Sequence, residues 1–144
     1  MSLTPDHIAA IRQSWVALSM DPDTLTERFY AKLFRIAPGV RPLFANSDMR
    51  AQRRKLASAI AMVVHHADNL SAIAPALEDM GRRHVGYGAT DAQYDAVGRA
   101  LIHAIAGFHG PSFTQAMRDA WVAAYAAVAA AMMAGAATAF QKSA

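Results

Sequence analysis

Apolar residues recur every three or four positions along nearly the whole chain, and two-residue alternation is almost absent, so the pattern predicts helices and no sheet. Thr4 before Pro5 marks a helix start, with Ile8, Ile11, Trp15 and Leu18 as one stripe. A second helix opens after Asp21-Pro22 or at the capping box Thr24-x-x-Glu27, carries Leu25, Phe29, Leu33 and Ile36, and must stop by Pro38. Short turns with Pro38, Gly39 and Pro42 follow and end at Leu43-Phe44, two bulky residues in a stretch too short to bury them within itself. A third helix runs from about Asp48 to Ala67, striped by Met49, Gln52, Leu56, Ile60, Val63 and Ala67. The next carries Ile73, Leu77, Met80 and His84, with Pro75 early enough to be tolerated in a first turn. Thr90-x-x-Gln93 makes a further capping box and opens a helix striped by Tyr94, Val97, Leu101, Ile105 and Phe108, which Gly107, Gly110 and Pro111 end. The last helix begins near Thr114 and carries Met117, Trp121, Tyr125, Val128 and Met132.

A length of 144 residues suits one domain with a substantial core, and neither an internal repeat nor a linker divides residues 1–144. The absence of cysteine excludes disulfides, thiolate nucleophiles and thiolate metal ligands together. The formal charge of +3 is mildly basic. Its densest run, RAQRRK at 50–55, lacks the interleaved aromatics of a single-strand binder and is expected to be a solvated helix face, not a nucleic-acid site. Residues 121–140 carry no charge over a span that could cross a bilayer, yet they are mostly alanine without flanking basic clusters, so a buried helix is expected and no membrane span. Asp6, His7, Arg12 and Gln13 interrupt any signal-peptide pattern, and a cytoplasmic protein is the default expectation.

Within this apolar pattern, three polar side chains fall on inward faces of three different helices: Tyr30 beside Phe29, Gln52, and His84. For His84 alone, a core histidine bonded to a backbone carbonyl is the plainer expectation. A buried polar group without a partner costs a few kcal/mol, however, so three in one small core suggest a shared polar object. Haem would be such an object: its iron takes one neutral imidazole, its bound gas takes hydrogen-bond donors opposite, and its flat macrocycle takes Phe, Leu, Ile and Val.

The fragments FYAKLF at 29–34, Pro38 to RPLF ending at Phe44, QRRKL at 52–56, GRRH at 81–84, Tyr94 with Val97-Gly98, and AW…AY at 120–125 stand in a distinctive order and spacing. In these the sequence resembles the globins, most closely the single-domain bacterial haemoglobins and the globin module of flavohaemoglobins, from about Ile8 to Met133. The resemblance implies an all-α globin fold of the three-on-three type around haem b. It implies His84 as proximal iron ligand, Phe44 against the haem face, Tyr30 and Gln52 as distal donors, and Leu56 and Ile60 as distal walls. Val97, Leu101, Trp121 and Tyr125 would pack near the proximal side or the floor of the pocket, although for each a plain core role is equally expected. Lys55, Arg82 and Arg83 are weaker candidates for pairing with propionates.

The remaining histidines are not expected to bind iron. His65 and His66 lie about 20 Å along their helix from Gln52, and His7, His103 and His109 have no matching partner. With glutamine at the distal position the ferrous iron would be five-coordinate, with Tyr30 a possible ligand only of the ferric form. Dioxygen is the ligand such a site favours, with carbon monoxide and nitric oxide also bound. The alternatives are nitric oxide dioxygenation with an external reductase, for which this chain carries no dinucleotide signature, and gas sensing. In flavohaemoglobin-like globins a tyrosine and a glutamate of the final helix buttress the proximal histidine. Tyr94 matches the tyrosine, but Ala136 stands at the glutamate's place, and residues 120–144 contain neither Asp nor Glu.

Overall fold

The computed structural model describes residues 2–86 and 90–143, side chains at 86 and 139–143 excepted, so Tyr87 and Gly88 of the GRRHVGYG stretch lie outside the described residues. Six α-helices account for most of the chain: α1 (Pro5–Leu18), α2 (Pro22–Ile36), α3 (Met49–His65), α4 (Ala74–Gly86), α5 (Asp91–His109) and α6 (Gln115–Ser143). Short 3₁₀ turns at Pro38–Phe44, Leu70–Ile73 and Gly110–Ser112 join them, and no strand occurs among the described residues.

The helix starts follow local chemistry. The Thr4 hydroxyl accepts from the His7 amide, and the His7 ring closes the capping box from the third helical position. At α2 the choice between two starts goes to Asp21, whose carboxylate accepts from both the amide and the hydroxyl of Thr24. Thr90 and Gln93 form the expected box on α5. Two expected ends shift. Helix α3 stops at His65, where His66 caps it, two residues before Ala67. Gly107 does not end α5, which runs on to His109 and stops where Gly110 turns to φ 56°, a conformation that costs glycine least.

Ile11, Leu18, Leu25, Leu77 and Ile105 are almost wholly buried, and they draw four helices, α1, α2, α4 and α5, into one core. Helix α6 crosses α1, α4 and α5, while α2 lies against α5 and α3. By length and composition Gln115–Thr138 could cross a membrane. In the fold three helices cover one side of it, over Met117, Ala120, Trp121, Ala124, Ala131 and Met132.

The α4–α6 crossing fixes the position of His84. A Cβ on Gly81 would collide with the Met132 carbonyl, and one on Gly135 with the Glu78 carbonyl, so the two backbones touch at reciprocal glycines. The glycine of the GRRH fragment thereby has a structural reason: it lets α4 lie directly on α6, three residues before His84.

Candidate functional site

His84 is half-buried near the end of α4, and its Nδ1 lies 2.6 Å from the carbonyl oxygen of Met80, one turn back. A carbonyl can only accept, so Nδ1 carries the proton and the lone pair of the neutral ring is on Nε2. The plain expectation of a carbonyl-bonded histidine and the ligand role are therefore compatible, because that bond orients the ring and sets its tautomer. Arg82 and Arg83 both pair with Asp79 on their own helix, and Lys55 is exposed.

Aromatic rings of α2 and of the turn that follows it gather in a cluster. Tyr30 meets Phe29 edge-on at 4.9 Å and Phe44 edge-on at 5.7 Å, and Phe34 stands 5.7 Å from Phe44. The 3₁₀ turn at Pro38–Phe44 brings Phe44 back over α2, which gives it the burial its own segment lacks. Burial pushes the Tyr30 hydroxyl up to about 12, against a smaller opposing pull from the Arg53 guanidinium, so at neutral pH it keeps its proton. On α3, Gln52 is half-buried one turn before the half-buried Leu56, and Ile60 is buried.

Arg53 departs from the expectation of a solvated basic run. Its Nε is buried with no hydrogen-bond partner among the described residues, whereas Arg50, Arg54 and Lys55 are exposed. The signal was present in the sequence, because Arg53 is three residues before Leu56 and seven before Ile60, on the same stripe.

Helix α5 supplies Tyr94 and Leu101, both buried, and the half-buried Val97. The Tyr125 hydroxyl of α6 donates to the Tyr94 carbonyl at 2.5 Å, and its ring fits because residue 98 is glycine: a Cβ there would lie 2.6 Å from Cε2. Burial raises both tyrosines above the ordinary phenol value, with Asp91 adding to the effect at Tyr94. The Tyr94 hydroxyl itself is buried without a partner among the described residues. Trp121 belongs elsewhere: its indole N–H donates to the buried Ser14 hydroxyl, which also meets His109 Nε2 at 2.6 Å. That network ties α1, α5 and α6 together as core and gives His109 a structural role.

His65 and His66 sit at the far end of α3, where the His66 Nδ1 bonds the Met62 carbonyl. No cluster of three or more His, Asp or Glu that could hold a bare metal ion occurs among the described residues. Helix α3 packs mainly against α2 and α1, and α4 mainly against α6 and the Leu70–Ile73 turn. Tyr30, Phe44, Leu56, Met80, His84 and Val97 are all only half-buried.

The Globin family profile matches residues 27–132. The chain is 30% identical to a flavohaemoprotein of Vibrio cholerae over 125 residues, 85% of this chain, and 32% identical to one of Deinococcus radiodurans over 129 residues, 88% of this chain. It spans 32% of the length of each of these relatives. A bacterial globin from Campylobacter jejuni superposes with a TM-score of 0.84 at 26% identity, covering 96% of this chain and 99% of that one. An engineered carbene transferase, made from a Rhodothermus marinus protein assigned as a nitric oxide dioxygenase, superposes at 0.86 with 28% identity and covers 97% of each chain. By the extent of the family match and the agreement of fold over nearly its whole length, this chain belongs to the globin family.

Proposed function

We propose that this chain is a haemoglobin that binds haem b through His84 and reversibly takes up dioxygen and other diatomic gases. The observation that carries the reading is the His84 Nδ1 bond to the Met80 carbonyl, which puts the ring's lone pair on Nε2, the donor a haem iron requires. The other residues suit the group as well. Phe44, Leu56, Met80 and Val97 are apolar and only half-buried, and the buried Tyr94 hydroxyl has no protein partner among the described residues. Haem, when bound, supplies a ferrous iron at which a diatomic gas is taken up.

In this reading His84 holds the iron in one orientation, and Phe44 packs against the macrocycle. Tyr30, kept protonated by burial, and the Gln52 amide donate hydrogen bonds to a polarised ligand on the distal side. Leu56 and Ile60 exclude water there, while Val97, Leu101, Tyr94 and Tyr125 form the proximal wall. Replacing His84 with Ala should abolish or greatly weaken haem incorporation, measured by Soret absorbance after reconstitution. A normal five-coordinate ferrous spectrum from that variant would overturn the assignment.

Nitric oxide dioxygenation with a separate reductase is the second reading, and the name of the R. marinus protein favours it. The proximal side supports a carrier instead, because Ala136 replaces the buttressing glutamate and the Tyr94 hydroxyl finds no carboxylate partner among the described residues.

A further inference from the structure

On the outer side of α2, Arg28, Lys32 and Arg35 follow one another at four and three residues, which places them on one face of the helix. They line a concave groove with Ala31, His103 and Ala104, the last two from α5. Arg12, Arg82, Arg83 and Arg99 each pair with an aspartate, whereas Arg28, Lys32 and Arg35 have no ion-pair partner among the described residues. The arrangement is specific on both walls. The Arg28 guanidinium reaches across to α5, where its Nη1 would lie only 3.0 Å from a Cβ at position 107, and glycine at that position makes the room. His103 faces the same charges: burial first, then Lys32, Arg35 and Arg28, hold its imidazole below the ordinary value.

Like charges at helical spacing repel, and a chain that leaves three of them together beside a histidine has a local field that a multivalent anion would relieve. The open space of about 160 Å³ is well below what a drug-sized molecule occupies, so the occupant is a small ion or a terminal group of a larger molecule. Two guanidinium forks and an ammonium match the oxygens of phosphate better than those of a single carboxylate, because arginine donates in parallel pairs and lysine adds a point charge.

We propose that this α2–α5 groove, formed by Arg28, Lys32, Arg35 and His103, binds a small phosphoanion of at least two negative charges, either inorganic diphosphate or the terminal phosphates of a nucleotide. The groove lies on the face of α2 away from Tyr30, since residues 28 and 32 point about 160° and residue 35 about 140° away from residue 30 at 100° per residue. Its occupant is therefore distinct from anything held beside Tyr30.

The haem-loaded full chain, titrated with sodium diphosphate in a phosphate-free buffer, tests this by calorimetry and by NMR of arginine Nε–Hε and histidine ring signals. One saturable site is expected, with shifts at Arg28, Arg35 and His103. The double variant R28Q/R35Q should bind at least about tenfold more weakly, because two charge-assisted contacts are lost. R50Q/R54Q, which removes the same charge from the exposed face of α3, should change affinity by no more than about twofold through screened long-range attraction. If R28Q/R35Q fails to fold, K32Q replaces it, with a loss of about threefold or more expected for one contact. A parallel titration with ADP separates the two sources: tighter binding than diphosphate points to a nucleotide, and equal binding to the free anion. Absence of saturable binding, shifts confined to other residues, or equal weakening by R50Q/R54Q would each overturn the site.

Discussion

At the scale of single residues, Tyr30 shows how burial keeps a phenol protonated and so able to donate. Its ring is held between Phe29 and Phe44, and its hydroxyl, pushed up to about 12, stays protonated far above neutral pH. A buried hydrogen bond to a partly charged group contributes about 1.5–3 kcal/mol, so Tyr30→Phe should speed dioxygen release about 10- to 150-fold. Carbon monoxide, less polarised when bound, should leave at nearly its original rate, and stopped-flow measurement of both gases checks the difference. Equal effects on the two would make Tyr30 packing only. In the proposed site, Tyr94 would stand on the proximal side with a buried hydroxyl, while Ala136 occupies the place of the expected glutamate. Without that carboxylate the imidazole is made less basic than in a buttressed site. The ferrous iron–histidine stretch by resonance Raman should then fall in the range of an ordinary neutral imidazole, with slow multiple turnover of nitric oxide when a reductase is added. A strongly buttressed frequency together with sustained rapid turnover would decide for the enzyme.

At the scale of elements, the contact between α4 and α6 sets where His84 stands. Gly81 and Gly135 each accept a carbonyl of the other helix where a Cβ would be, so neither helix can shift to admit a methyl without moving the other. Gly81→Ala should destabilise the fold by about 1–3 kcal/mol, the usual range for overpacking, even though alanine is the better helix former. Displacement of α4 should also loosen haem, so the variant is expected to lose it faster to an apoglobin acceptor and to melt earlier. Unchanged values for both would mean that the crossing yields easily. The sequence pattern placed a stripe on α4 but carried no sign of this contact, because a glycine inside a periodic segment reads only as a weakness of the helix.

At the scale of the whole molecule, α1, α5 and α6 are joined by the buried Ser14, to which Trp121 donates and which lies 2.6 Å from His109 Nε2. Burial holds the His109 imidazole below its ordinary value of 6.5. The unfolded chain thus binds more protons than the folded one below that pH, so this contribution is complete above about 6.5 and is lost as pH falls through the lower folded value. Chemical unfolding of the apoprotein at a series of pH values should show that decline, with His103 adding in the same direction, and His109→Gln should flatten it. An identical pH profile for the variant would remove His109 from the account. Periodicity, capping residues and the order of the motifs were sufficient to predict six long helices and their starts at Thr4 and Thr90, since local backbone preferences and apolar spacing act over a few residues. The ends at His65 and His109 depended on which terminal groups found partners in three dimensions. The assignment of Trp121 to a Ser14–His109 network and the touching backbones at Gly81 and Gly135 were decided only by tertiary structure. Each is a contact between residues distant in sequence, and no local pattern specifies which distant partner a face will meet.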